Sequence, residues 1–240
     1  MFVSPTEFAI ALVTITIGAT LQGSVGFGLA VVAAPILLLM HPVWVPGPTL
    51  FAAMLVTILI AYRHRDAIVA QEVGLATVGR ILGTLPAAYA LSALPAGVYN
   101  VLFAVVILLG VLLSAAGWHI APTRRNVVLA ATLSGFAGTV SSVGGPPLAL
   151  VYQNEKGPRV RGTMSAIFVI GTMISIAGLR WAGKFGLTEL VLGLALAPGV
   201  VVGFAISRYT AAWLDLRHTR PAILAVSALS AVVILIRAFY

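Results

Sequence analysis

The sequence predicts an all-α polytopic membrane protein made of two inverted repeats. Of its 240 residues, 60% are hydrophobic and 8% are charged, whereas a soluble domain carries about 25% charged residues. The apolar sequence falls into eight segments, nominally, and one segment in each half is interrupted by glycines. Lys and Arg collect at the segment ends, where they set the orientation of a membrane protein. Each repeat is therefore predicted to hold a glycine-broken helical hairpin and three transmembrane helices, which gives ten segments if each hairpin counts as two.

The first broken segment is the apolar run over residues 8–40. A single helix of that length would be about 50 Å long, which exceeds the ~20 residues of one membrane span but falls short of two. The glycines between Gly23 and Gly28 divide the run. We interpret it as a hairpin, made of two short half-helices or of a span with a re-entrant arm.

Three further helices complete the first half. Three prolines keep residues 41–48 out of helix, and this loop carries no Lys or Arg. Helices are predicted over residues 49–62, 72–94 and 98–118. Basic residues follow the first of these helices and close the half at Arg124 and Arg125.

The second half repeats this order. A broken segment covers residues 127–152, a basic loop follows over 154–161, and helices are predicted near 162–179, 188–207 and 220–238. Gly-x-x-x-Gly pairs lie at corresponding places in the halves, and their commonest meaning is close helix packing; they are Gly79 with Gly83 and Gly199 with Gly203. We therefore predict one membrane domain, residues 1–240, with internal repeats 1–122 and 123–240.

Charge placement predicts the orientation of the repeats in the cell (inner) membrane. If Arg63 and Arg65 face the cytoplasm, loops 41–48 and 92–97 lie outside, and the equivalent loops 41–48 and 153–161 fall on opposite faces. The repeats are then inverted. This layout puts ten of the fourteen basic residues inside: Arg63, Arg65, Arg124, Arg125, Lys156, Arg159, Arg161, Arg208, Arg217 and Arg220.

Several functions are not indicated by the sequence. The chain has no cysteine, and its histidines lie at segment ends without metal-ligand spacing. Its acidic residues lie at or near segment ends, and no nucleophile has an evident base. We therefore predict no metal, no cofactor and no enzymatic activity. The net charge of +8 is assigned to contact with lipid headgroups rather than with nucleic acid. A homodimer is possible.

The two broken segments also carry a family resemblance. The stretch from Leu21 to Gly28 reads LQGSVGFG with Pro35 downstream, and the stretch from Gly138 to Pro147 reads GTVSSVGGPP. This pair resembles the glycine-rich motifs of the TauE/SafE family of sulfite exporters. The resemblance covers essentially the whole chain. It implies passage of small sulfur-containing anions such as sulfite or organosulfonates, by a secondary transporter that acts as an exporter or permease.

Physical reasoning on the same residues indicates an anion site. A helix that begins inside the membrane has unpaired N–H groups and a positive dipole end, which an oxyanion can satisfy. Glycine permits unusual φ angles at such a break and lets a ligand approach the backbone, while nearby serines supply hydroxyl donors. The alternative is that the glycines only pack two bent helices together.

Arg80 is the second candidate. It lies near the middle of an apolar segment, where a cation is costly unless it faces protein, water or a partner; a structural pair or an extension toward Glu72 is the alternative. The predicted substrate-binding residues at the membrane midplane are Gln22, Gly23, Ser24, Gly26, Phe27, Gly28, Arg80, Ser141, Ser142, Gly144, Gly145 and Pro146. A passive anion channel and a non-catalytic membrane subunit are the alternative functions.

Overall fold

The computed structural model describes residues 3–115, 120–153, 155, 157–210, 225 and 227–236. The regular structure of these residues is helical throughout, as predicted. The helices are α1 (Pro5–Val25), α2 (Leu29–Met40), α3 (Gly47–Arg63), α4 (Ala70–Ala93), α5 (Ala96–Ala115), α6 (Arg124–Ser141), α7 (Gly145–Tyr152), α8 (Gly157–Trp181), α9 (Leu187–Ala195), α10 (Ala197–Thr210) and α11 (Ser227–Ile236).

Four helices in the described residues are long and apolar enough to cross a membrane. They are α1, α3 with the short turn before it, α5 and α8, and the bent pair of α9 and α10 makes a fifth if it is one span. By contrast, α2 has 12 residues and α7 has 8, so they are about 18 and 12 Å long. Neither reaches across the ~30 Å hydrocarbon core of a bilayer. The protein is therefore a multi-pass membrane protein with two helices too short to span.

Both predicted helix breaks are present. The first lies between α1 and α2, where Gly26 and Gly28 have φ angles of 103° and 128°, a region that glycine adopts readily. The second lies between α6 and α7, but the residue with positive φ there is Ser142, at 65°. Gly144 has φ −91°. The expectation that glycine supplies the unusual φ is thus confirmed for the first break and wrong for Gly144.

The helix after each break lies against the helix before it. Leu29 at the start of α2 contacts Gly18 of α1, where an added β-carbon would lie 3.0 Å from the Leu29 carbonyl oxygen. Likewise the Ser134 hydroxyl of α6 donates to the Gly144 carbonyl at 2.6 Å. Because Leu29 and Leu37 are fully buried, α2 lies in the core of the protein, together with residues of α1 and α3.

The Gly-x-x-x-Gly pairs pack helices, and they do so between the two halves. Gly79 and Gly83 of α4 face the backbone of α6, while Gly199 and Gly203 of α10 face the backbone of α1. No room remains for a β-carbon at any of these contacts, since backbone oxygens lie within its van der Waals distance. The packing interpretation is confirmed.

The connecting segments gather at two ends of the bundle. At one end Thr163 of α8 accepts from the Val69 N–H at 3.1 Å, so the segment before α4 meets the start of α8. At the other end residues 42–47, 91–99 and 183–189 surround one cavity of about 240 Å³. Helices α3, α4 and α8 therefore each run from one end to the other.

Two predicted segments differ from the structure in extent or continuity. The basic loop 154–161 is shorter than expected, because α8 begins at Gly157 and Pro158 suits a first helical turn. The predicted helix over 188–207 is two helices, α9 and α10, bent by 41°. Pro198 lies just after this bend, and its ring disrupts a continuous helix. Most of the predicted helix 220–238 falls outside the described residues, which include α11.

Candidate functional site

A small cavity lies between the two helix breaks. Phe27 and Gly28 line it from the first break, and Ser142, Gly144 and Gly145 line it from the second. Its volume is about 40 Å³. Since a cavity needs about 10–15 Å³ to hold one water molecule, this one has room for a small ion or a few waters.

Two helix N-termini face this cavity. Ala30 and Val31, in the first turn of α2, line it, and so does Gly145, the first residue of α7. The first N–H groups of a helix have no partner within the helix. One of them is satisfied, because Leu29 N–H donates to the Gln22 side-chain oxygen at 3.1 Å.

The second helix offers few donors. Pro146 and Pro147 follow Gly145 directly, and proline has no N–H group. Gly144 and Gly145 are therefore the residues that can present backbone N–H groups at this end of α7.

Arg80 supplies the charge of the cavity. Its side chain is 1% exposed, and it is the one charged side chain among the described residues that line the cavity. One terminal nitrogen donates to the carbonyl oxygen of Ser134 at 2.8 Å and to its hydroxyl at 2.9 Å. The other donates to the Ser175 hydroxyl at 3.1 Å. Arg80 therefore faces the protein interior, one of the environments that a cation in the middle of an apolar segment requires.

Ser134 connects Arg80 to the second break. It accepts from the guanidinium and donates to the Gly144 carbonyl at 2.6 Å. The sequence did not single out Ser134 or Ser175. A hydroxyl two helical turns before a glycine break is the pattern that would have indicated the first of them.

No carboxylate neutralises Arg80 in the described part of the chain. Glu72, the alternative partner, instead pairs with Arg159. The Nε atom of Arg80 is buried and has no hydrogen-bond partner among the described residues. A buried unpaired charge is costly, because hydroxyl and carbonyl dipoles replace only part of the lost hydration. The cavity therefore favours an anion electrostatically.

Two helices close the cavity from the side. Ala53 and Thr57 of α3 and Phe168 and Thr172 of α8 are pairs of residues spaced four apart, and all line it. Such residues lie on one face of a helix. The sequence prediction missed all four, because their helices carry no break or charge at these positions.

The structure brings seven of the twelve predicted site residues to the cavity, and five lie elsewhere. Those at the cavity are Gln22, Phe27, Gly28, Arg80, Ser142, Gly144 and Gly145. Among the others, Gly23 packs against Ser207, Gly26 lies beside Arg161, and Pro146 lies beside Gly110 of α5. Ser24 and Ser141 are the remaining two.

The predicted hydroxyl ligands have backbone partners. Ser24 donates to the Thr20 carbonyl at 2.8 Å, and Ser141 donates to the Ala137 carbonyl at 2.8 Å. Ser142 lines the cavity, but its hydroxyl donates to the Pro46 carbonyl at 2.9 Å. These three hydroxyl protons are therefore engaged within the protein rather than free for a ligand.

The helix breaks and the buried cation define a multi-pass membrane protein with a central, positively charged cavity. The chain belongs to the sulfite exporter TauE/SafE family, because the model of that family matches residues 10–234. Membership implies a membrane exporter or permease of sulfite and related sulfur anions. Comparison with curated proteins and with solved structures finds no match.

Proposed function

We propose that this protein is a secondary transporter that moves small sulfur-containing anions, such as sulfite or organosulfonates, across the cell membrane. The main support for this proposal is the position of Arg80, which is 1% exposed and lies at the cavity between the two helix breaks. The described residues give it no carboxylate partner. An anion in the cavity supplies the missing countercharge.

The anion would be held mainly by groups that cannot move. Gly144, Gly145 and the first turn of α2 line the same cavity as Arg80, and their backbone N–H groups are the donors that we expect to hold the anion. Fixed donors suit a compact oxyanion, since they need no reorganisation on binding and also act through the helix dipoles. Arginine adds a planar set of donors that matches an oxyanion group.

The cavity favours the smaller anions of the family. Its volume of about 40 Å³ suits a compact ion of the size of sulfite. A sulfonate with an organic group requires the surrounding helices to separate. The side chains that would have to yield are those of Phe27 and Phe168, which line the cavity from the first break and from α8.

The arrangement of helices supports inverted repeats. Gly79 of α4 faces Val128 of α6, and Gly199 of α10 faces Leu12 of α1, so each half packs its third helix on the broken segment of the other. The loop 41–48 and the start of α8, at equivalent places in the halves, lie at opposite ends of the bundle. Halves related in this way can move against each other around a central site, as in other secondary transporters.

Flux into proteoliposomes tests this proposal. Purified protein in vesicles loaded with unlabelled sulfite should accumulate radiolabelled sulfite from outside, since a carrier exchanges its substrate across the membrane. Uptake should saturate and should be inhibited by organosulfonates. A carboxylate and an uncharged solute of similar size serve as controls. Transport of the uncharged solute in preference to all anions would contradict the proposal, and uptake without exchange or saturation would indicate a channel.

A further inference from the structure

Four of the six described residues that line a second cavity, separate from the one at Arg80, have basic side chains. Arg63, His64, Arg161 and Arg208 surround it, together with Gly23 and Ser207. Its volume is about 240 Å³. We call these residues the basic pocket.

The charges of the basic pocket are not neutralised by the residues that the structure describes. The ion pairs among those residues are Arg65 with Asp66 and Arg159 with Glu72 and Glu155. None involves an arginine of the pocket. Three guanidinium groups around one space repel each other, so the pocket favours an anion within it.

Contacts with neighbouring groups hold Arg63 and Arg161 in place, whereas Arg208 is exposed. The Arg63 guanidinium lies 3.7 Å from the centre of the Phe204 ring and donates to the Ser207 hydroxyl at 3.4 Å. Arg161 donates from Nε to the His64 ring at 3.3 Å and from a terminal nitrogen to the Ser24 carbonyl at 3.3 Å. Two of the three arginines of the pocket are thus positioned by the fold.

The basic pocket lies along the same helices as the central cavity. Thr57 and Arg63 are six residues apart on α3, and Arg161 and Phe168 are seven apart on α8. At 1.5 Å per residue the two cavities are about 9–10 Å apart along both helices. Arg161 also contacts Gly26, so the first helix break separates them.

We propose that the basic pocket is a second anion site, which binds the oxyanion group of a solute or of a lipid headgroup at the end of the bundle. Arginine suits this ligand, because its planar fork donates two parallel hydrogen bonds to oxyanions. A cluster of one sign also raises the local concentration of counterions. The proposal is independent of what the central cavity binds.

Chemical modification of arginine tests it on the intact protein. Phenylglyoxal reacts with guanidinium groups, and peptide mass spectrometry reads each arginine separately. In neutral detergent, sulfate should slow the modification of Arg208 and Arg161 compared with chloride at equal ionic strength. Arg65 and Arg125 lie outside the pocket and are exposed, so they serve as internal controls that sulfate should leave unchanged.

Variants then assign the protection to the pocket. In Arg63→Gln, protection of Arg208 should require a roughly tenfold higher sulfate concentration, since the change removes a charged donor. Arg65→Gln, two residues away, should leave it unchanged. If Arg63→Gln does not fold, Arg208→Gln replaces it, with Arg161 as the readout, because Arg208 is exposed.

A second arm identifies the source of the oxyanion. Protection by sulfate in lipid-free detergent supports a site for a solute. Protection only in phosphatidylglycerol vesicles, and not in phosphatidylcholine vesicles, supports a site for a headgroup. Equal protection by sulfate and chloride, or protection that persists in Arg63→Gln and Arg208→Gln, would overturn the proposal.

Discussion

Gly171 of α8 faces the Nε atom of Arg80 so closely that a β-carbon at this position would overlap the guanidinium. Gly138 and Gly144 line the same group, with added β-carbons 3.1 and 2.9 Å from one terminal nitrogen. Three glycines therefore form a slot that fits the planar guanidinium. A cation confined in this way keeps its donors in fixed positions, which reduces the entropy cost of binding an anion.

The slot predicts that Gly171→Ala displaces Arg80. Overpacking of this kind costs about 1–3 kcal/mol, so we expect a lower thermal midpoint and a loss of anion binding. Gly74→Ala is the matched control, because Gly74 lies in α4 with no atom within 4 Å of an added β-carbon. That change should raise stability by about 0.5–1 kcal/mol. Binding by Gly171→Ala at the wild-type affinity would exclude the slot as a requirement.

Replacement of Arg80 tests its role toward the anion. Arg80→Lys keeps the charge but loses the planar donors that reach Ser134 and Ser175, so anion affinity should fall by roughly tenfold. Arg80→Gln should reduce it further. Ligand-dependent thermal stabilisation of protein that elutes as a single species measures both. Transport at the wild-type rate by Arg80→Gln would leave Arg80 with a structural role only.

Much of the fold could be predicted because membrane segments are recognisable from their apolar composition and from the glycines that interrupt them. The glycines around Gly26 and Gly144 indicated both breaks, and Gly79 with Gly83 indicated close helix packing. Arg80 was recognisable because a cation in the middle of an apolar segment requires an interior environment.

The rest depends on contacts between distant segments. Gly171 and Ser134 look ordinary in sequence, and they matter because they meet Arg80, 91 and 54 positions away. The roles of Ser24 and Ser141 were equally hidden, since a serine in a helix can donate to the carbonyl four residues earlier instead of to a ligand. Helix ends such as Gly157 were misplaced because prolines and basic residues permit both loop and first turn.

His64 in the basic pocket predicts an acid-dependent loss of stability. Burial and the neighbouring Arg161 and Arg63 lower the pKa of His64 below its ordinary value of 6.5, and its Nε2 accepts from Arg161 only when unprotonated. The unfolded chain then binds the proton more readily. The stabilisation that depends on neutral His64 is thus fully present above pH 6.5, and it is lost as the pH falls through the pKa of His64 in the folded protein. Thermal unfolding in detergent should show this loss, and His64→Gln should reduce it; an identical pH profile in the variant would contradict the assignment.

The orientation of the repeats can be tested in this cysteine-free chain. Single cysteines at His41 and Glu155 should react with an impermeant thiol reagent from opposite sides of the membrane, with His41 outside. The expected result follows from inverted halves, since the two positions lie at equivalent places after each broken segment. Labelling of both from one side would mean parallel repeats.

The last prediction concerns the helix breaks. It distinguishes anion binding by backbone N–H groups from anion binding by side-chain hydroxyls. The Ser142 hydroxyl donates to the Pro46 carbonyl, so Ser142→Ala should change anion affinity by less than roughly tenfold, the limit set by one lost hydrogen bond of about 1 kcal/mol. Gly144→Val should abolish binding, because an added β-carbon lies 2.9 Å from both Arg80 and the Ser134 carbonyl. Gly26→Val should also abolish it, for a different reason: the φ angle of 103° is strained for a branched residue.

The two glycine variants are informative only if they fold, so size-exclusion elution and thermal unfolding accompany each binding measurement. Gly97→Ala, at the start of α5 with open space around it, is the control for a harmless glycine change and should bind normally. The two variants also distinguish a change at the cavity from a change in the surrounding fold, since Gly144 lines the cavity and Gly26 does not. Normal affinity in folded Gly144→Val would show that the anion does not bind at the second break. Normal affinity in folded Gly26→Val alone would leave the second break as the binding site and give the first break a packing role only.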